Sequence, residues 1–355
     1  MATITEKAQS FVKVDRRDGK LAMAHIHVAF IALLIGGLCG LLQTLVRSGQ
    51  FTLPWGIGYY QLLTVHGVLL GLILTTYFIF GFQIAAVSRT SGTLTDKQRT
   101  LGWIGFWTMT TGTTAAAVMV LLNEASVLYT FYAPLQAHWI FYVGMALVVV
   151  GSWIGGAGLI MKYMEWRKAN PKQPSPLLTF MVIVNLTMWI ICSLGVAVEV
   201  VFQLIPWSLG WVDKIDVLLS RTLFWYFGHP LVYFWLLPAY MVWYVIIPKI
   251  IGGKIYSDAL ARLSFMLFLI FSIPVGFHHQ LTEPGIDSFW KYLQVVLTMM
   301  VVIPSLLTAF SMFASFEIRG RQLGGKGVFG WFKKLPWKDA RFLVPFIGMA
   351  AFIPA

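Results

Sequence analysis

A chain of 355 residues that is 58% hydrophobic and only 11% charged, with a mean hydropathy of +0.76, carries too little charge to cover a soluble globule of its size. Its net charge of +12 suggests a nucleic-acid partner, but the placement of that charge along the chain argues against one. Cys39 and Cys192 both lie in apolar stretches with no CxxC partner, which leaves no disulfide framework and no thiolate cluster.

The first residues mix acids and bases (Glu6, Lys7, Asp15, Arg16, Arg17), and no cleavage site follows the first apolar run. Residues 1–20 therefore read as a short cytoplasmic segment. Crossing roughly 30 Å of hydrocarbon takes about 20 apolar residues. Runs of that kind occupy 21–46, 59–83, 101–123, 137–161, 176–204, 218–248, 259–281 and 290–316. A ninth begins near Phe342 and is cut off at Ala355. Of the 26 lysines and arginines, all but Arg47, Lys214, Arg221 and Lys291 fall before the first run or in alternate connectors. By the positive-inside rule that side is the cytoplasm, and the excess charge needs no nucleic acid to explain it. The expected fold is an all-α polytopic membrane protein: a bundle of about eight complete spans plus the start of a ninth, N-terminus cytoplasmic. Residues 21–355 form one transmembrane domain without repeats, surrounded by lipid. The abundant Trp and Phe suit its interfaces.

Four of the seven histidines share a depth. His66 and His229 lie about seven and eight residues inside the outer ends of their spans, which at 1.5 Å per residue is roughly 10–12 Å. His278 and His279 close the seventh run just before the polar stretch TEPGID, at a shallower level. An ionisable side chain inside a span is costly and usually functional. One such histidine is readily explained by a hydrogen bond to a neighbouring helix; four at one level point to metal ligation. His25 and His27 at the cytoplasmic mouth of the first span, and His138 opening the fourth, are accounted for by interfacial packing. Adjacent residues on an α-helix point about 100° apart, so His278 and His279 face one metal only if the backbone departs from that geometry. Pro274 and Gly276 loosen it there. Three imidazoles with an open position suit small-molecule activation.

The stretch RTLFWYFGHPLVYFWLLPAYMVWY, residues 221–244, contains GHPLVY, which resembles the GHPxVY signature of heme–copper oxidase subunit I. PVGFHHQ at 274–280 is similar to the paired-histidine helix of that family, and LTVHGVLLG at 63–71 to the helix bearing an axial ligand of its low-spin heme. The resemblance covers the whole chain. It implies that His229, His278 and His279 hold copper, that His66 is an axial ligand of the low-spin heme, and that a high-spin heme faces the copper. Tyr233, one turn after His229 on the same face, is implied to be the tyrosine linked to the copper-ligating histidine that supplies a proton and an electron for O–O cleavage.

Two departures matter. Leu231 stands where A-type members carry a glutamate, so the motif resembles the B-type members, which use a single proton route. Tyr240 and Tyr244 continue the face of Tyr233 toward the cytoplasm, and Ser305, Thr308 and Ser257 offer further hydroxyls for a water-bridged relay. The family also places two histidines, one residue apart, on a later helix, and no histidine follows His279. The chain therefore reads as the N-terminal part of a longer protein. The implied activity is reduction of O2 to water, coupled to proton translocation, with electrons from a c-type cytochrome entering through a subunit II that carries a dinuclear copper centre. A nitric oxide reductase would lack the tyrosine; a transporter would leave the His-Pro and His-His motifs unexplained. Glu199, inside the fifth span, has no assigned role.

Overall fold

A computed structural model describes residues 14–53 and 56–352. Most of the expected cytoplasmic segment, with Lys7 and Lys13, and the last three residues of the ninth run lie outside the described residues. Among the described residues every regular element is helical. Eight helices are long and apolar enough to cross a membrane: α1 Arg16–Arg47, α2 Tyr59–Ser91, α3 Asp96–Leu121, α4 Trp139–Ala169, α5 Leu177–Ser208, α6 Val217–Ile250, α7 Asp258–Gln280 and α8 Ser288–Gln322. A shorter apolar helix, α9, covers Ala340–Phe352. Each expected span is found. Several run past their apolar stretch, α8 to Gln322 rather than 316, because helical hydrogen bonding continues through polar residues once hydrocarbon has been crossed.

The helices start where the sequence supplies caps. Asp15 accepts the Arg17 N–H at the head of α1. Thr95 and Gln98 form a reciprocal capping box on α3, and Gly92, at φ +92°, ends α2 in a conformation that favours glycine.

Cα proximity divides the chain into two compact units, residues 1–175 with 190–228 and residues 176–189 with 229–355. In the first, α3 and α4 pack through glycines spaced seven apart on each helix. A Cβ on Gly105 would lie 2.5 Å from the Gly151 carbonyl oxygen, and one on Gly144 would lie 2.6 Å from that of Gly112. Small residues let two backbones approach where lipid offers no hydrophobic driving force between helices. At the same end as the α1 cap, fully buried Asp18 accepts from Ser88 Oγ at 2.6 Å, Leu94 N at 2.9 Å and Arg99 Nε at 2.8 Å. Three donors, on α2, the α2–α3 connector and α3, thereby compensate a charge on α1 that would be costly to bury alone.

In the second unit Pro238 sits inside α6 and cannot donate to the carbonyl of Phe234, four residues earlier. Buried Asn185 on α5 donates its amide to that oxygen at 3.4 Å, and Trp189, one turn further along α5, lies 4.5 Å from the Phe234 ring. Arg262 of α7 lies over the Phe180 ring at 5.0 Å.

Candidate metal centre

In the second unit, the last turns of α7 tighten into a 3-10 helix over Ile273–Gln280, beginning one residue before Pro274. The expected departure from α geometry is present. His278 and His279 have ring centroids 4.4 Å apart, and His229 on α6 lies 4.2 Å from the first and 5.3 Å from the second. One ring nitrogen from each of the three falls within 4.8 Å of the others.

Hydrogen bonding identifies which nitrogens converge. His229 Nδ1 faces His279 Nε2 at 3.2 Å. His278 Nδ1 is engaged elsewhere, with Thr298 Oγ1 of α8 at 2.8 Å. The Thr298 hydroxyl donates to the Gln294 carbonyl at 2.6 Å, so toward His278 it acts as acceptor. His278 therefore carries its proton on Nδ1 and presents Nε2 as a lone pair. Gln294, one turn before Thr298, donates to the Pro274 carbonyl at 2.8 Å, one turn before His278. Two polar side chains four apart on α8 thus dock two positions four apart on the 3-10 segment. Sequence reading missed both; the signal was Gln and Thr at i, i+4 in the otherwise apolar QVVLT.

Two imidazole nitrogens facing at 3.2 Å, with a third lone pair close by, form a donor set suited to a metal that prefers nitrogen ligands. His229 Nε2 is buried with no partner, so the set engages one nitrogen of each ring. The Tyr233 ring lies 5.0 Å from that of His229.

Below Tyr233 on α6, the rings of Tyr233 and Tyr240 lie 5.9 Å and 5.4 Å from Phe268 of α7. The Tyr240 hydroxyl reaches Ser305. The Tyr244 hydroxyl faces Thr308, Ser264 and Ser311, and its oxygen and those of Ser264 and Ser311 are buried without direct hydrogen-bond partners. Ser264 and Ser311 were not anticipated from sequence. Ser315, one turn after Ser311, donates to its carbonyl and accepts from the Tyr256 N–H. Ser257 lies at the start of α7, where its oxygen caps the helix by accepting the Leu260 N–H at 3.1 Å.

His66 belongs to the first unit. It lies next to last in the α-helical opening of α2, Tyr59–Gly67, before a π-helical stretch, Val68–Leu74. Its Nδ1 donates to the Gly36 carbonyl on α1 at 2.9 Å, which leaves the lone pair on Nε2. A Cβ on Gly40 would lie 2.5 Å from that same Nδ1, so a glycine is needed for the ring to sit there. Glu199, also in this unit, accepts from Ser220 Oγ at 2.6 Å, and Ser220 in turn accepts from the Ala133 N–H at 3.2 Å. The carboxyl thus ties α6 and the α3–α4 connector to α5.

The profile of the family described as cytochrome c and quinol oxidase polypeptide I matches residues 20–355. The chain is 44% identical over 344 residues to cytochrome c oxidase subunit 1 of Thermus thermophilus, covering 95% of this chain and 61% of that one. It is 23% identical to the probable quinol oxidase subunit 1 of Staphylococcus haemolyticus, covering 97% and 51%. Among solved structures, a heme-copper terminal oxidase dimer determined by cryo-electron microscopy superposes with a TM-score of 0.86 at 43% identity, over 91% of this chain and 57% of that one. The chain thus spans a little over half the length of these relatives. On the family profile and on the Thermus relative, it belongs to the cytochrome c and quinol oxidase polypeptide I family.

Proposed function

We propose that this chain is the copper-bearing part of subunit I of a B-type heme–copper oxygen reductase, with residues 21–355 forming its transmembrane domain. The protein would reduce O2 to water and translocate protons. Its electrons would come from a c-type cytochrome through a subunit II with a dinuclear copper centre. The observation that carries the reading is the convergence of His229 Nδ1, His279 Nε2 and the free Nε2 of His278 beside Tyr233. Bound there, copper together with a high-spin heme iron would supply electrons to O2.

The chain's own residues divide the remaining work. Thr298 and Gln294 hold His278 in the tautomer that ligates, as partners behind a metal-bound histidine generally do. Tyr233 holds a phenolic proton next to the cluster, its ring beside that of His229, whose Nε2 is buried and unpartnered. His66 offers Nε2 to a low-spin heme. Tyr240 with Ser305, then Tyr244 with Thr308, Ser264 and Ser311, line a route by which water-bridged hydroxyls deliver protons from the cytoplasmic side. Leu231 in place of a glutamate supports the single-route, B-type reading.

The test is metal and turnover analysis of the purified protein containing this chain. It should hold copper and heme, and His229→Ala should lose the copper. Tyr233→Phe should keep copper but lose O2 consumption. Copper-free protein, or a Tyr233→Phe variant turning over normally, would overturn the proposal.

A further inference from the structure

The connector 323–339 joins α8 to α9 and is tied down by several close contacts. A Cβ on Gly320 would overlap the Trp331 carbonyl, so the turn is closed backbone on backbone. Trp337 Nε1 donates to the Phe332 carbonyl at 2.7 Å, the two rings lie 4.4 Å apart, and Phe346 of α9 packs on Trp337 at 4.9 Å. The nearby acids are already engaged. Glu317 pairs with Arg321, and Asp339 pairs with Arg341 at 2.6 Å, a contact that holds the Asp339 carboxyl below the usual carboxylate range. Lys326, Lys333, Lys334 and Lys338 are exposed, and none pairs with a carboxylate among the described residues. Beside them Val328 and Phe329 are 73% and 76% exposed.

A fixed loop with unbalanced positive charge and an apolar tip, joined at both ends to apolar helices, cannot leave the membrane boundary. The basic excess of its side places it at the cytoplasmic leaflet. Lysines near an anionic surface gain about fivefold in local affinity each, and apolar side chains between them enter the acyl boundary. We propose that this loop is a docking surface for anionic phospholipid headgroups, with Lys326, Lys333, Lys334 and Lys338 on the phosphates and Val328 and Phe329 in the hydrocarbon edge. The proposal is independent of the oxidase reading.

The test uses the protein containing this chain in nanodiscs of phosphatidylcholine, with or without phosphatidylglycerol. A fluorophore is attached at Val328→Cys in a Cys39→Ser background; Cys192 is buried. Spin-labelled phosphatidylglycerol should quench the probe several-fold more than spin-labelled phosphatidylcholine at equal mole fraction. High salt, or glutamine at the four lysines, should remove that preference. Circular dichroism establishes that the variants remain helical. Equal quenching by the two lipids overturns the proposal. So does quenching by aqueous iodide alone, which would place the loop in water, or protection from every quencher, which would place a protein partner on it.

Discussion

Thr298 Oγ1 lies 2.8 Å from His278 Nδ1 while its own proton goes to the Gln294 carbonyl at 2.6 Å. The hydroxyl is thereby fixed as an acceptor, and the imidazole is fixed with its lone pair on Nε2. Partners of this kind behind a ligating histidine change metal affinity by about 10–100-fold when removed. Thr298→Val keeps the shape and deletes the acceptor, so copper affinity should fall by that order. Thr298→Ser should restore most of it. Copper titration of the metal-stripped protein reads both. Equal affinity in all three would show that packing alone orients His278.

The His66 ring rests against α1 because position 40 has no side chain. A Cβ there would lie 2.5 Å from the Nδ1 that bonds the Gly36 carbonyl. Gly40→Ala should push the ring away and break that bond, lowering heme content or altering the low-spin heme spectrum, while copper content stays unchanged. An unaltered spectrum would place the low-spin heme ligand elsewhere.

How much of this was legible beforehand depended on the range of the interaction. The eight spans were readable because hydrocarbon thickness imposes a length on each apolar run. Pro274 and Gly276 were local signals that His278 and His279 could turn toward one metal; depth grouped all four histidines, and the choice of His229 as their partner came from the resemblance carried by GHPLVY. Thr298, Gln294, Ser264 and Ser311 were not readable. A Thr or Ser in an apolar helix usually bonds its own i−4 carbonyl, as Thr308 does with Pro304, and only packing shows which hydroxyl also meets a partner from another helix. Ser257, at a helix start, accepts the Leu260 N–H as a cap and keeps its own proton to donate.

The proposed proton route can be probed at the point where three buried hydroxyls, those of Tyr244, Ser264 and Ser311, lie together without direct partners. A bridging water would satisfy them. Tyr244→Phe and Ser264→Ala remove one hydroxyl each far from any metal ligand, so copper and heme content should stay constant while turnover falls and the solvent deuterium isotope effect grows. Normal turnover in both would exclude this column as the route.

The glycine contact between α3 and α4 should be intolerant of any side chain. A Cβ on Gly112 would overlap the Gly144 carbonyl, and overpacking of this kind typically costs about 1–3 kcal/mol. Gly112→Ala should lower the midpoint of unfolding in mixed micelles of mild detergent and dodecyl sulfate. Gly155→Ala, where the nearest atom to a new Cβ lies at 3.8 Å, should leave the midpoint nearly unchanged. Equal shifts would mean that the helices separate freely.

Asn185 and Pro238 make a pair whose coupling has a definite sign. Pro238 leaves the Phe234 carbonyl without its helical donor, and the Asn185 amide supplies one at 3.4 Å. Asn185→Leu should leave that carbonyl unsatisfied in a buried site, at a cost of about 1–3 kcal/mol. Pro238→Ala brings an N–H within the helix to the same oxygen, so adding it to Asn185→Leu should recover much of the loss. The two substitutions together should cost less than the sum of each alone, the coupling expected of residues that share an acceptor. Additive costs, measured by the same micellar unfolding, would show that Asn185 stabilises the helix by packing and not by serving the carbonyl that the proline exposes.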